Sequence, residues 1–214
     1  MKRINIFVEG QTEEVFVQKV LYEHFQPLNI FLTPILIRTG RKGKGGVSSY
    51  GKIRKQIYRK CHQDKKSFVS TMFDYYGLPN DFPGKNKLPN TDDPIKKVTY
   101  LENEFNKDIS LPNFIPNFLI FEFEALLFTK TEAFGQWFET SVIEKLAQVR
   151  DKFSTPEHIN DNPKTSPSKR IIKLCPRYKK IYHGTHIALD IGLNLIRKDC
   201  HHFNDWLNRL EKLN

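Results

Sequence analysis

The stretch INIFVEGQTEE, residues 4–14, decides the fold of this chain. Its first five residues form an apolar run that predicts a buried strand, and Gly10 permits a tight exit from that strand. Thr12 is expected to cap the helix that follows, and the two glutamates after it favour the positive end of the helix dipole. Apolar residues then recur at helical spacing until Pro27, which is predicted to end the helix.

The same alternation of strand and helix continues beyond this stretch. Apolar runs predict strands at 30–37, 68–73 and 114–121, and helical spacing predicts helices at 50–61 and 94–106. Such alternation is typical of a parallel α/β sheet. After residue 124 the pattern turns helical, with a polar loop at 154–168 and breaks at Pro176 and Gly184. We therefore predict a mainly parallel β-sheet flanked by helices over residues 1–128, and a C-terminal helical extension over 129–214 packed on it as one compact unit.

The amino-acid composition and charge restrict the classes of protein to which this chain can belong. The 214 residues are 39% hydrophobic and 27% charged, as in folded soluble proteins, and the net charge of +10 favours a polyanionic partner such as nucleic acid. No apolar run reaches the roughly 18–20 residues of a membrane span, and the N-terminal run is too short for a signal peptide. Three cysteines without CxxC spacing indicate reduced thiols. The sequence thus predicts a cytoplasmic protein without membrane association.

Acidic residues follow three of the predicted strands. Glu9 follows the first strand, Asp74 the third, and Glu122 and Glu124 the fourth. Because the carboxyl ends of parallel strands form one edge of a sheet, these carboxylates are expected to meet there. Their mutual repulsion favours a divalent cation between them, and oxygen ligands suit Mg²⁺ or Mn²⁺. Such an ion can activate water and stabilise charge on a phosphate.

Most of these carboxylates also have a structural interpretation. Glu13 can bind the metal or simply favour the start of its helix. Glu122 and Glu124 would share one face of a continued strand, or lie in the first turn of a helix. Asp74 is also of the type that forms turns after strands. Glu9 alone has no evident structural role.

The segment VEGQTE, residues 8–13, resembles the opening motif of TOPRIM domains, in the E-G-x-T-E form of overcoming-lysogenization-defect (OLD) nucleases. The resemblance implies that Glu9 and Glu13 hold catalytic Mg²⁺ together with an Asp-x-Asp after a later strand, and Asp74 matches its first aspartate. Tyr76 stands in place of the second aspartate. The resemblance thus leaves open whether one or two metal ions bind, and whether Glu122 or Glu124 supplies the missing carboxylate.

Three further segments resemble the bacterial family called domain of unknown function 4276. They are FDYYGLP (73–79), FEFEALL (121–127), and IND (159–161) followed by TSPSKR (165–170). This family is similar to TOPRIM effectors that accompany ABC-type ATPases in anti-phage defence. The resemblance therefore implies a TOPRIM-like fold, a nuclease activity and an ABC-type ATPase partner.

Two clusters of basic residues can contact nucleic acid, one between Arg38 and Lys55 and one around Lys169 and Arg170. Glycines in the first let backbone amides approach a phosphate, although such a segment can also be a solvated connection. The second surrounds a predicted helix start, where cations oppose the dipole, so contact with phosphate is an alternative to a solvated face. From the first cluster we predict nucleic-acid contacts by Arg38, Arg41, Lys42, Lys44, Arg54 and Lys55. From the second we predict a contact by Arg170 and, by Lys169, stabilisation of charge in the phosphoryl-transfer transition state.

The leading hypothesis is a nuclease that uses Mg²⁺ or Mn²⁺, with Glu9, Asp74 and Lys169 as catalytic residues and Glu13, Glu122 and Glu124 as further metal ligands. Tyr75 and Tyr76 could stack on a base. His183 and His186, with the histidines after Cys200, match no standard zinc pattern. A non-catalytic nucleic-acid-binding or adaptor subunit is the alternative, and phosphate transfer to or from a nucleotide is a third.

Overall fold

The computed structural model describes residues 1–37, 49–160 and 163–213. The chain divides into two compact units, Met1–Leu119 and Ile120–Asn214. The first unit contains the β-sheet, and the second is helical. No helix in the described ranges is both long enough and apolar enough to cross a membrane.

In its described residues, the first unit is built on a five-stranded sheet in which every pair of neighbouring strands is parallel. Its strands are β1 (Lys2–Val8), β2 (Ile30–Leu36), β3 (Phe68–Asp74), β4 (Phe114–Ile115) and β5 (Phe118–Leu119). Their order is β2-β1-β3-β4, and β5 also pairs with β3. The predicted mainly parallel α/β sheet is therefore confirmed.

Helices cover the sheet. Residues 4–8 of the central strand β1 are all buried, which requires cover on both faces because alternate side chains point to opposite sides. The helices of this unit are α1 (Gln11–Phe16), α2 (Tyr22–Phe25), α3 (Tyr50–Gln63) and α4 (Pro94–Ile109). A π-helical turn, Val17–Leu21, joins α1 to α2, and a 3₁₀ turn, Gln26–Leu28, follows.

The predicted cap at Thr12 is wrong. The N-cap of helix α1 is Gly10, two residues earlier. Gly10 leaves the strand in an extended conformation, and its carbonyl accepts the first helical hydrogen bond from the Glu14 N–H, at 3.1 Å. Thr12 lies inside the first turn and is buried. This shift also buries Glu13 in the same turn.

The predicted strand at 114–121 is two short strands in the structure. Pro116 lacks the N–H that a continuous ladder needs. Opposite this gap, the Thr71 hydroxyl accepts from the Asn117 N–H at 3.0 Å and donates to the Asn117 carbonyl at 2.8 Å. A side chain of β3 thus replaces the missing backbone pairing, and the register resumes at Phe118.

The second unit packs short helices around an apolar core that includes Phe123, Phe134 and Trp206. Its α-helices are α5 (Thr140–Arg150), α6 (Pro167–Leu174), α7 (Thr185–Ile191), α8 (Leu193–Asp199) and α9 (His201–Glu211). Helical 3₁₀ turns span Phe123–Thr129, Thr131–Gln136, Pro156–His158 and Pro163–Thr165.

The predicted helix break at Gly184 is also wrong. Gly184 has helical dihedral angles and ends a π-helical turn, Lys180–Gly184, that leads directly into α7. The chain turns instead at Gly192, which separates α7 from α8 with a φ of +81°. Glycine is favoured at that position because other residues rarely adopt such an angle.

Candidate functional site

Glu9 lies where β1 ends, beside the end of the neighbouring strand β3. Its Oε1 accepts a hydrogen bond from the backbone N–H of Asp74 at 3.0 Å. The two strands are paired in parallel from Ile4 to Val8, so their carboxyl ends stop side by side. The parallel sheet thus brings Glu9 and Asp74 together across 65 residues of sequence.

Gly77 forms a wall of the Glu9 site. A Cβ atom placed on Gly77 would lie 2.6 Å from Oε2 and 2.9 Å from Oε1 of Glu9. At such distances a side chain at residue 77 would require the Glu9 carboxylate to shift. Gly77 closes the 3₁₀ turn Tyr75–Gly77 that follows β3. The sequence contained no signal for this contact.

Glu13 supplies a second carboxylate next to Glu9. It lies in the first turn of α1 and is 8% exposed, and its Oε2 is 2.9 Å from where a Cβ on Gly10 would stand. Burial raises the pKa of Glu9 to about 8, helped by the negative charge of Glu13, while the N–H of Asp74 acts in the opposite direction. The pair is thus held in a place where negative charge is costly.

Carboxylates of this kind are the ligands that a hard divalent cation prefers. Mg²⁺ in proteins is usually held by only one or two carboxylates and keeps several waters. A cation between Glu9 and Glu13 would offset both the burial and the repulsion that raise the pKa of Glu9. The Asp74 side chain is half-buried at the adjoining strand end. In residues 1–37, 49–160 and 163–213, no group of three or more His, Cys, Asp or Glu side chains is arranged to hold a metal ion.

Glu122 and Glu124 belong to the second unit and have partners there. Glu122 precedes the 3₁₀ turn Phe123–Thr129, and its Oε2 accepts from the Ser168 N–H at the start of α6, at 2.9 Å. Glu124 is 2% exposed, and its Oε1 lies 3.2 Å from Nζ of Lys180. Burial raises the pKa of Glu124 to about 7 against the opposing charge of Lys180, and the charge of Glu122 adds to the increase.

The backbone is strained immediately before these two glutamates. Phe121 is buried and has a φ of +69°, in the left-handed region that a bulky residue rarely adopts. Strain of this kind is found at functional sites more often than elsewhere in proteins.

Lys169 and Arg170 lie in the first turn of α6, where the sequence predicted a helix start. Lys169 is exposed. The Arg170 guanidinium donates from Nε to the Thr165 carbonyl at 2.7 Å and lies over the Phe153 ring, 5.4 Å from its centroid. Both cations belong to the second unit, whereas Glu9, Glu13 and Asp74 belong to the first.

The first basic cluster is described only in part, because Arg38, Arg41, Lys42 and Lys44 lie outside the described residues. Arg54 and Lys55 are exposed on α3. Nε of Arg54 is 2.7 Å from Oδ2 of Asp108, which also accepts from the Tyr50 hydroxyl. This ion pair offsets part of the charge of Arg54. Lys55 is at the surface of the same helix.

The remaining candidate residues, two tyrosines and two histidines, contact other aromatic side chains. Tyr75 and Tyr76 stack on each other with ring centroids 6.0 Å apart, and burial raises the pKa of Tyr75. His183 and His186 lie in an aromatic cluster in which each ring centroid is 5.6 Å from that of Trp137. Contact with a nucleic-acid base by the two tyrosines stays a prediction.

Comparison with known proteins gives one family and two similar structures. The model of the family described as Domain of unknown function (DUF4276) matches residues 8–211. The chain is similar to the C-terminal region of the Xanthomonas campestris pv. campestris OLD protein, with a TM-score of 0.41, 15% identity, and coverage of 98% of this chain and 97% of the other. It is also similar to the C-terminal region of the Burkholderia pseudomallei OLD protein, with a TM-score of 0.38, 18% identity, and coverage of 94% and 97%. Among curated proteins, none matches.

Proposed function

The chain belongs to the DUF4276 family, and we propose that it is a nuclease that depends on Mg²⁺ or Mn²⁺ and hydrolyses phosphodiester bonds in nucleic acid. The observation that carries the proposal is the carboxylate pair Glu9 and Glu13 at the end of the central strand. The resemblance of residues 8–13 to the opening motif of TOPRIM domains supports the same conclusion. The net charge of +10 suits a polyanionic substrate.

In this proposal Glu9 and Glu13 hold the cation, and Asp74 lies at the end of the neighbouring strand. The Asp74 N–H and the Cα of Gly77 orient the Glu9 carboxylate, so that its oxygens need little rearrangement to accept a ligand. A bound Mg²⁺ or Mn²⁺ supplies activated water and stabilises charge on the phosphate. Glu122 and Glu124 as further ligands, and Lys169 as the cation that offsets transition-state charge, stay predictions.

Cleavage assays with a charge-matched control test this proposal. The full-length protein is incubated with plasmid DNA and with a tRNA pool, with Mg²⁺, with Mn²⁺ and with chelator. We expect cleavage only with a divalent ion, and its loss in Glu9→Gln. Glu23→Gln removes the same charge from an exposed position on α2 and is expected to cleave normally. Cleavage that persists in Glu9→Gln would overturn the assignment.

A non-catalytic nucleic-acid-binding or adaptor subunit is the second candidate. It is favoured by Tyr76, which stands at the position where the OLD nucleases that the sequence resembles have a second aspartate. This candidate predicts salt-sensitive binding of nucleic acid that Glu9→Gln leaves unchanged, with no cleavage under any ion condition. The same set of proteins and substrates therefore separates the two candidates.

We further propose an ABC-type ATPase as the partner and anti-phage defence in the cytoplasm as the setting. Both rest on the family resemblance of residues 73–79, 121–127 and 159–170. Affinity purification of the tagged full-length chain from its native cells tests the partner, and an ABC-type ATPase should be recovered with it. A phage challenge of cells with and without Glu9→Gln tests the setting, since protection should depend on Glu9.

A further inference from the structure

A pocket of about 260 Å³, lined by apolar surface as well as by cationic residues, lies in the second unit, between the end of α5 and helix α6. Of the described residues that line it, four carry cationic side chains. The cations are Lys164, Lys169, Arg170 and Lys173. A concave surface that concentrates one sign of charge attracts ligands of the opposite sign.

The arrangement of these cations works against the helix that carries them. Lys169 and Lys173 are four residues apart on α6 and thus neighbours on one face, where like charges repel. Lys169 and Arg170 also stand in the first turn, at the positive end of the helix dipole. An anion bound in the pocket would reduce both effects.

Arg170 is oriented before any ligand arrives. Its Nε is bonded to the Thr165 carbonyl at 2.7 Å, and its guanidinium plane is supported by the Phe153 ring. A fixed planar guanidinium matches the geometry of phosphate oxygens, and little side-chain freedom is lost on binding. The pocket therefore combines one oriented arginine with three lysines.

The pocket also has an apolar side, formed by Val149 and Leu174. At about 260 Å³ it lies just below the range of ~300–1,000 Å³ that is usual for small organic ligands. A bare inorganic anion would leave Val149 and Leu174 without a contact. The ligand that suits both sides has a phosphate at one end and a less polar body at the other.

We infer that this pocket binds a single phosphorylated nucleotide unit, with its phosphate among the cations and its sugar and base against Val149 and Leu174. The site needs neither a metal ion nor hydrolysis, so it goes beyond the nuclease proposal and would serve a non-catalytic subunit equally well. Two kinds of ligand contain such a unit: a free nucleoside monophosphate and the 5′-phosphorylated end of a nucleic-acid strand.

Calorimetric titration of the full-length protein in chelator tests the inference, with AMP, adenosine and inorganic phosphate as probes. We expect AMP to bind more tightly than inorganic phosphate, and adenosine not to bind. Lys173→Ala should weaken AMP binding by about tenfold, since a charge-assisted contact is lost. Lys198→Ala removes the same charge from an exposed position on α8 and should retain the wild-type affinity within about twofold.

Three results would overturn the inference. They are a failure of AMP to bind the wild-type protein, equal affinity in wild type and Lys173→Ala, and equal losses in Lys173→Ala and Lys198→Ala. Circular dichroism and the unfolding midpoint of each variant exclude a loss of fold.

A competition experiment then distinguishes the two sources of the phosphorylated ligand. A 5′-phosphorylated oligonucleotide that displaces AMP better than its 5′-hydroxyl counterpart indicates a strand end, and AMP binding that neither displaces indicates a free nucleotide. Chelator keeps these results independent of metal-dependent cleavage.

Discussion

The carboxylate of Glu9 packs directly against the backbone of Gly77, with Oε2 only 2.6 Å from the place where a Cβ would stand. The residues are 68 positions apart in sequence and belong to the ends of β1 and of the turn after β3. The backbone of residues 74–77 therefore both donates a hydrogen bond to this carboxylate and limits where it can move. The orientation of this carboxylate is thus set by backbone atoms of the neighbouring turn.

Gly77→Ala is expected to displace the Glu9 carboxylate. Because the atoms that must shift are the end of a flexible side chain, the loss of stability should be small, on the order of 1 kcal/mol, but the shift misplaces a predicted metal ligand. We expect a lower midpoint in urea and weaker binding of Mn²⁺. Gly51→Ala is the matched control, since a Cβ on Gly51 meets nothing within 4 Å and the residue lies in α3.

The control should gain stability, by up to about 1 kcal/mol, because alanine is favoured over glycine inside a helix. Its Mn²⁺ affinity should match that of the wild type. Equal behaviour of the two variants in both measurements would show that the contact between Gly77 and Glu9 has no consequence.

The pKa of Glu9 predicts how stability depends on pH in metal-free buffer. Its folded-state pKa of about 8 lies above the value of about 4.5 for an unperturbed glutamate. Between these two values the folded state binds more protons than the unfolded state, so this group makes the free energy of unfolding fall as pH rises from about 4.5 to 8. Below about 4.5 both states are protonated and this cost is absent.

Glu9→Gln should therefore raise the unfolding midpoint at pH 8 relative to the wild type, and leave it nearly unchanged at pH 4.5. Each kcal/mol moves the midpoint of a domain of this size by about 2–4 °C. Differential scanning calorimetry from pH 4.5 to 8 in chelator measures the effect, with Glu23→Gln as the charge-matched control. Parallel profiles for the wild type and Glu9→Gln would refute the prediction.

Glu157 is expected to be essential for the fold of the second unit, not for chemistry. It is 2% exposed, and its two oxygens accept from the backbone N–H groups of His202 at 3.0 Å and Phe203 at 2.9 Å, at the start of α9. Glu157→Ala leaves both donors without this acceptor inside the protein, which costs about 1–3 kcal/mol for each group.

We expect Glu157→Ala to unfold at a clearly lower urea concentration, whereas Glu144→Ala, at an exposed position on α5, should stay within about 0.5 kcal/mol of the wild type. Equilibrium unfolding followed by far-UV circular dichroism gives both values. If Glu157→Ala were as stable as Glu144→Ala, the buried bonds to α9 would contribute little.

The sheet could be predicted from the sequence because local patterns determine it. Alternating strands and helices indicate parallel pairing, and parallel pairing places Glu9 beside Asp74. The contacts of Gly77 and Glu157 could not be predicted, because they join backbone and side chain over 68 and 45 residues and leave no periodic signal. The prediction of a cap at Thr12 failed for a local reason, since Gly10 occupies the N-cap position two residues earlier.

Lys55 offers a test of the nucleic-acid face of α3. It is exposed, whereas the neighbouring Arg54 is paired with Asp108. If Lys55 contacts a phosphate, its removal reduces the number of released counterions by one. Lys55→Ala should therefore lower the slope of log K against log salt by about 0.7 on single strands and 0.9 on duplex DNA. Fluorescence anisotropy measures the slope, at salt concentrations from about 50 to about 300 mM that lie on both sides of the physiological ionic strength. Lys96→Ala, on α4 and outside the basic clusters, should leave the slope unchanged, and an equal fall in both variants would mean that only total charge matters.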